Sequence, residues 1–304
     1  MTEPKTQTLE LPGATLTYDV REAEGESTEP VLLMIGSPMD ASGFVTLAGH
    51  FPDRTVVTYD PRGVGRSPRA DGLTAATPDE HAEDLHRLIS ELDRGPVDIF
   101  ASSGGAVNAL ALVASHPEQV QMLVAHEPPL ATVVPDRDEA RAAMEDIHET
   151  YKRDGFGPAM AKFLALTRIR GPIPSDFPDQ APNPADFGLP TEDDGSRDHP
   201  LLGPHMLYTS RYEPNFESLR DASTRIVVAG GIESEATFPY RAALAVAERL
   251  GTDVVVFPSH HGGFHEQGEP DAFAATLRGV LTNKGTDQDS RPEAELASRL
   301  GDSP

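Results

Sequence analysis

A serine at the junction of a strand pattern and a helix pattern is the most informative residue of this 304-residue chain. Residues 97–101 are apolar and strand-like, and 104–110 follow directly as a helical pattern. Ala101 and Gly105 lie two residues before and two residues after Ser103. Small residues at those positions are required by a sharp strand-to-helix turn that presents a nucleophile. The pattern predicts a nucleophile elbow with Ser103 at its tip.

Candidate bases follow the last predicted strand, at His260, His261 and His265. An imidazole that takes the proton of a serine hydroxyl, and is itself held by a carboxylate, makes that hydroxyl nucleophilic. The alternative is that these histidines and Glu266 bind a metal ion. Histidines clustered on a loop are weak evidence for such a site, and the chain has no H-E-x-x-H motif, so we expect no metal.

The elements around these residues alternate between strands and helices. Strand patterns occupy 8–11, 15–20, 31–35, 55–60, 97–101, 120–125, 225–229 and 254–257. Helical patterns occupy 78–92, 137–152, 158–167, 201–212, 240–250 and 271–281. This alternation predicts an α/β fold with a mostly parallel eight-stranded sheet and a ligand site at the carboxyl ends of the strands.

The alternation stops after the sixth strand, which predicts a helical cap inserted there. The predicted organisation is a core of 1–128 and 223–283, a cap or lid of 129–222, and a flexible tail of 284–304. Because an insertion at the strand ends must cover the pocket, we expect the cap to control substrate choice. His205, Met206 and Tyr208 are the cap residues expected to bind a mainly apolar substrate.

Composition excludes several classes of function. The chain has no cysteine, so disulfides, thiolate catalysis and cysteine-held metals are excluded. A formal net charge of −24 argues against binding nucleic acid or an anionic membrane. The first ten residues lack the basic-then-apolar pattern of a signal peptide, and no segment has the apolar length of a membrane span. We expect a cytoplasmic protein whose partner is a small molecule.

Two further segments complete a resemblance to the α/β-hydrolase superfamily, of the serine-hydrolase type, over nearly the whole chain. Residues 35–38, I-G-S-P, stand where that family often has H-G-x-P, with Ile35 in place of the histidine. Residues 60–67, D-P-R-G-V-G-R-S, resemble its D-x-R-G-x-G-x-S segment. The resemblance implies that the backbone N–H groups of Ser37 and Gly104 form the oxyanion hole.

The resemblance also bears on the base and the acid. His261 matches the family's catalytic histidine in the frame H-G-G-F. Most members place the acid after the strand that follows the cap, where Glu233 stands in Gly231-Ile232-Glu233. The fungal zearalenone lactonases carry a triad glutamate in an H-E-x-P segment similar to the one that contains Glu127. We favour Glu127, fixed between a strand end and two prolines, and Glu233 remains the alternative.

These residues predict a cofactor-free serine hydrolase that cleaves a carboxylic ester, or a lactone, through an acyl-enzyme on Ser103. The lactone as a substrate is implied by the family resemblance alone. A cofactor-free perhydrolase or a carbon–carbon bond hydrolase of the same fold is one alternative. A non-catalytic protein of this fold that binds a small molecule is the alternative from another class.

Overall fold

An eight-stranded sheet with helices on both faces forms the centre of the protein. The computed structural model describes residues 2–73 and 75–282. The strands are β1 (Lys5–Leu11), β2 (Ala14–Arg21), β3 (Leu32–Ile35), β4 (Val56–Tyr59), β5 (Val97–Ser102), β6 (Val120–His126), β7 (Arg225–Gly231) and β8 (Val255–Phe257). The helices are α1 (Val45–Gly49), α2 (Pro78–Leu92), α3 (Gly104–Ser115), α4 (Arg137–Asp154), α5 (Phe156–Arg168), α6 (Pro204–Arg211), α7 (Phe216–Asp221), α8 (Phe238–Leu250) and α9 (Pro270–Thr282).

The strand order is β1-β2-β4-β3-β5-β6-β7-β8. Strands β3 to β8 run parallel to one another, and β2 runs antiparallel to both of its neighbours. The predicted sheet is therefore confirmed in its strand number and its mostly parallel direction. Because β5 and β6 pair directly and run parallel, their carboxyl ends are adjacent, and candidate site residues follow both ends.

The strand periodicity divides the core between the two faces of the sheet. Along β5, Ile99 and Ala101 face the cluster formed with α2 and α3, whereas Phe100 faces the cluster formed with α1 and α9. All six residues of β5 are buried. Because both faces of β5 are covered, most of its side chains are apolar and they do not alternate with exposed polar ones. Its one charged residue, Asp98, is buried in an ion pair with Arg54.

Helix α2 begins where the sequence predicts. The Thr77 side chain accepts a hydrogen bond from the Glu80 N–H, and the Glu80 carboxylate accepts one from the Thr77 N–H. This reciprocal capping box satisfies N–H groups that have no partner within the helix. The helix buries one face against the sheet, so the capping box fixes the position of an element that supports the elbow.

The segment between β6 and β7 contains α4 to α7. Helix α4 packs against α5 and α6, whereas α7 contacts α3 and α8 of the core. The last helix of the predicted cap, 129–222, thus packs on helices of the core. Within the cap's Pro- and Asp-rich stretch, Phe177–Asp179 and Pro184–Phe187 are short 3-10 helices.

Among the helices described, none is both long and apolar enough to cross a membrane. The predicted tail, 284–304, lies outside the described residues.

Candidate active site

Ser103 lies at a sharp turn between β5 and α3. Its backbone has φ +57° and ψ −128°, and its N–H donates to the His126 carbonyl at 2.9 Å. A Cβ atom on Gly105 would stand 2.4 Å from the Ile35 carbonyl oxygen. Only glycine fits there, because real Cβ atoms do not approach an oxygen so closely. The predicted elbow geometry is present, with Ser103 partly exposed at its tip.

The loop after β3 packs directly on the start of α3. A Cβ atom on Gly104 would lie 2.4 Å from the Ser37 carbonyl oxygen, so these two residues are in contact. Gly104 is the first residue of α3, and its N–H therefore has no acceptor within the helix. Both residues line the same cavity as Ser103. The two predicted oxyanion-hole residues thus lie side by side at the nucleophile.

Glu127 follows β6 and is fully buried. One carboxylate oxygen, Oε2, lies 2.5 Å from His261 Nδ1, and the other, Oε1, accepts the Gly231 N–H at 2.8 Å. Its own N–H donates to the Ala229 carbonyl at 3.0 Å. Every polar group of the side chain is paired, so the carboxylate is held in one orientation toward the His261 ring.

The charge on Glu127 follows from these contacts. Burial alone would raise the pKa of its carboxyl group, but the hydrogen bond and the charge of His261, the proximity of His126 and the Gly231 N–H together lower the pKa to about 2. Glu127 is therefore ionised near neutral pH. A carboxylate beside Nδ1 keeps the proton on that nitrogen, which leaves Nε2 of a neutral His261 free to accept a proton.

The alternative acid, Glu233, also lines the cavity, but the carboxylate at His261 Nδ1 is that of Glu127. Glu233 lies beyond the end of β7 and is exposed, and its carbonyl accepts a hydrogen bond from Arg170. Its N–H donates to the Ser259 carbonyl at 2.9 Å. Gly231, the last residue of β7, donates its backbone N–H to the Glu127 carboxylate. The end of β7 thus contributes to the site through this N–H. Of the two candidates, the structure brings Glu127 to His261.

The other two histidines of the loop make different contacts. His260 is exposed and lines the same cavity as Ser103, but its Nδ1 accepts the Gly262 N–H at 3.0 Å. The ring of His265 packs against Phe264, with 4.3 Å between the centroids and the ring planes tilted by 39°. In the described ranges 2–73 and 75–282, no three His, Asp or Glu side chains form a group that could hold a metal ion.

A cavity of about 630 Å³ joins the elbow to the cap. Its apolar wall consists of Pro129, Met144, Phe163, Leu166, Leu201, Met206, Phe238 and Pro239. His205 and Met206, two of the residues expected to bind substrate, line this cavity together with Thr209. The third, Tyr208, is 44% exposed and is not among the residues that line it.

Sequence reasoning missed the walls formed by α4 and α5. Met144, Phe163 and Leu166 reach the cavity from these helices, and Arg168 and Arg170 lie at its edge. The apolar spacing of α5 indicates a buried face but not whether that face covers a ligand or the core. The Gly231 N–H was also missed, because a backbone donor leaves no signal in residue type.

Comparison with known proteins gives matches over most of the chain. A family model described as alpha/beta hydrolase fold matches residues 29–267. A protein of Bacillus subtilis (strain 168) named "Uncharacterized hydrolase YraK" is 32% identical over 272 residues, which cover 84% of this chain and 89% of that protein.

Solved structures also share the fold. An esterase from Thermogutta terrifontis, with malate bound, superposes with a TM-score of 0.63 and 21% identity, covering 92% of this chain and 98% of that one. The enol-lactonase from Burkholderia xenovorans LB400 gives a TM-score of 0.63 and 18% identity, covering 91% and 100%. At these identities the likeness extends to the fold alone.

Proposed function

This chain belongs to the α/β-hydrolase family and is a hydrolase, and we propose that it cleaves carboxylic esters, lactones among them, through an acyl-enzyme on Ser103. One observation carries the proposal: the His261 ring is held by the buried Glu127 carboxylate at 2.5 Å and lines the same cavity as the elbow serine. Ester and lactone hydrolysis are also the activities named for the Thermogutta and Burkholderia proteins.

The first half of the reaction forms the acyl-enzyme. Ser103 Oγ attacks the substrate carbonyl carbon while its proton passes to His261 Nε2. Negative charge develops on the former carbonyl oxygen, and the N–H groups of Ser37 and Gly104 stabilise it. His261 then returns the proton to the departing alkoxide, and the carbon–oxygen bond breaks. Glu127 stabilises the ring while it is positively charged.

In the second half of the reaction, water hydrolyses the acyl-enzyme. His261 Nε2 takes a proton from a water molecule, whose oxygen attacks the acyl carbon and displaces Ser103 Oγ. The serine recovers its proton from His261, and a carboxylic acid leaves. With a lactone the alkoxide stays joined to the acyl chain, so the product is a single hydroxy acid. The mainly apolar cavity favours an uncharged acyl or alcohol group.

A fluorophosphonate, which phosphonylates activated serines with loss of fluoride, tests the nucleophile. We expect one adduct, located by peptide mass spectrometry on Ser103, and hydrolysis of some members of a panel of p-nitrophenyl esters and simple lactones. Ser103→Ala should lose both the adduct and the hydrolysis.

Ser115→Ala is the matched control, because this serine lies at the far end of α3 and its hydroxyl donates a hydrogen bond to the Ala111 carbonyl of the same helix. This variant should label and turn over like the wild type. An adduct on Ser102, no adduct at all, or undiminished turnover in Ser103→Ala would each refute the proposed reaction.

A further inference from the structure

His205, on the cap helix α6, contacts the loop that carries the predicted oxyanion-hole residue Ser37. Its Nε2 lies 3.3 Å from Ser37 Oγ and 3.3 Å from Thr209 Oγ1, which stands one turn further along the same helix. The His205 residue is 7% exposed and Ser37 is 4% exposed, so water does not compete freely for these contacts. A hydroxyl can donate or accept, and the contact is therefore satisfied in either tautomer of the ring.

Three elements meet at this point. The Ser37 carbonyl packs on Gly104 at the start of α3, and His205 Nε2 would lie 3.4 Å from a Cβ atom placed on Gly104. Ser37 is thus held between the elbow on one side and the cap histidine on the other. The β3 loop and α3 belong to the core, whereas the histidine arrives from the insertion.

The rear of the His205 ring is also fixed. The His81 ring, on α2, stands edge-on to it with 5.9 Å between the ring centroids. His81 is 2% exposed, and its Nδ1 has no hydrogen-bond partner among the described residues. Packing by His81 from behind and the Thr209 hydroxyl from its own helix restricts the orientations that the His205 ring can adopt.

We infer that His205 is a positioning residue for the oxyanion hole: it holds Ser37, and through Ser37 the loop N–H that faces the reacting carbonyl. The cap then completes the catalytic geometry besides forming the pocket wall. The inference rests on the proposed hydrolase function. It assigns His205 a contribution to the rate of the chemical step, whereas a pocket-wall residue contributes mainly to substrate affinity.

A double-mutant cycle tests this coupling. Ser37→Ala removes the hydroxyl but keeps the backbone N–H, and His205→Ala removes its partner. We expect each single variant to lower kcat roughly 10- to 100-fold, below the loss from deleting a whole oxyanion donor, with KM changed less than about 3-fold. The double variant should be no slower than the slower single variant, because both substitutions remove one contact.

Two further readouts separate positioning from loss of structure. His205→Gln places an amide nitrogen near the position of Nε2 and should recover part of kcat. The rate constant for phosphonylation by a fluorophosphonate should fall in parallel with kcat, since the phosphonyl oxygen occupies the same hole. If His205→Ala fails to fold, judged by circular dichroism, the cycle is run with His205→Leu, which fills more of the space of the ring and has no group that can bond Ser37.

His148→Ala is the control for a loosened cap. His148 lies on α4 and its Nδ1 bonds the Leu202 carbonyl at 2.9 Å, away from Ser37. Its kcat should stay within about 2-fold of the wild type. Independent losses that multiply in the double variant, a loss confined to KM, or an equal loss in His148→Ala would each overturn the inference. Absence of labelling in the wild type would instead refute the proposed hydrolase function.

Discussion

Two residues of the site adopt backbone conformations that L-amino acids rarely occupy, Ser103 with φ +57° and Glu127 with φ +48°. Each such residue costs on the order of 1–3 kcal/mol, so the surrounding contacts must hold it. The Ser103 N–H is bonded to the His126 carbonyl, and the Glu127 N–H to the Ala229 carbonyl. Both residues follow the carboxyl ends of strands, Ser103 after β5 and Glu127 after β6. Their left-handed backbone conformations direct the Ser103 hydroxyl and the Glu127 carboxylate into the site.

The first prediction concerns the acid. Glu127→Gln should lower kcat by on the order of 10⁴, because an amide does not hold the His261 ring in the reactive tautomer. Glu233→Gln should change kcat far less, because Glu233 lines the cavity but is exposed, and its described hydrogen bonds use its backbone. Steady-state kinetics on one ester, after circular dichroism has shown that both variants fold, makes the comparison. The reverse ranking would transfer the role to Glu233.

Residue types alone could not choose between these two glutamates. Both follow strands whose carboxyl ends open on the same edge of the sheet. What separates them is the path of the chain after the strand: Glu127 turns inward with a left-handed backbone, whereas Glu233 enters a 3-10 helix and is an exposed residue of the cavity lining. The prolines that follow Glu127 restrict its position, and this was the part of the difference visible in the sequence.

At the scale of elements, the contact between β3 and α3 sets the distance between the loop that carries Ser37 and the elbow that carries Ser103. Gly105→Ala should destabilise the protein by roughly 1–3 kcal/mol, because the added Cβ atom would overlap the Ile35 carbonyl. It should also lower kcat, since relief of the overlap moves Ser37 away from Ser103. Thermal unfolding and kinetics measure the two effects.

Gly279→Ala is the matched control for this substitution. Gly279 lies within α9, and a Cβ atom there would meet nothing within 4 Å. Alanine favours the helix over glycine by up to about 1 kcal/mol, so this variant should be slightly more stable and equally active. Equal melting temperatures for the two variants would show that the approach of α3 to β3 is not tight.

The cap helix α6 gives the next prediction. Met206→Ala removes part of the cavity wall, so the ratio of kcat/KM for a long-chain ester to that for an acetate ester should rise. Tyr208→Ala on the exposed face should leave the ratio unchanged. A ratio of two substrates does not depend on the fraction of folded enzyme, so partial unfolding cannot produce the effect. Equal ratios in both variants would place the determinant of chain length elsewhere.

Elements with a local signal could be predicted, and contacts between elements could not. The capping box of Thr77 and Glu80 sets the start of α2 by itself, and the small residues around Ser103 define the elbow. The orientation of α6 depends on how the cap docks, as with the hydrogen bond from the Tyr212 hydroxyl to Asp79 on α2. No local pattern encodes that docking, and so the exposure of Tyr208 could not be predicted from the sequence.

At the scale of the whole molecule, a strongly acidic protein encloses three buried histidines near its site. Burial lowers the pKa of His126 to about 4 and that of His205 to about 4, and it holds the pKa of His81 well below the usual value. Desolvation of the charged form is the largest cause in each case. These rings therefore stay neutral in the folded protein at pH values where the unfolded chain binds protons.

The different proton affinities of the folded and unfolded states make the free energy of unfolding depend on pH. Between pH 6.5, the ordinary histidine value, and about pH 4, the unfolded state binds more protons than the folded state, so the free energy of unfolding falls as the pH falls. The excess of carboxylates acts in the opposite direction, because acid weakens their mutual repulsion in a chain with a formal net charge of −24. The pH dependence of the wild type alone therefore mixes two effects.

A comparison of His126→Asn with the wild type isolates the histidine contribution, because the repulsion among surface charges is nearly the same in both. At pH 8 the difference in the free energy of unfolding, measured by urea denaturation, reports only the change in packing and in the hydrogen bond to Ser102. From pH 6.5 to about 4 the variant should gain up to about 3 kcal/mol relative to the wild type, since it no longer carries a ring that the fold keeps unprotonated. A difference that stays constant from pH 8 to 4 would mean that His126 takes up a proton as readily in the folded protein as in the unfolded chain, and that burial does not keep it neutral.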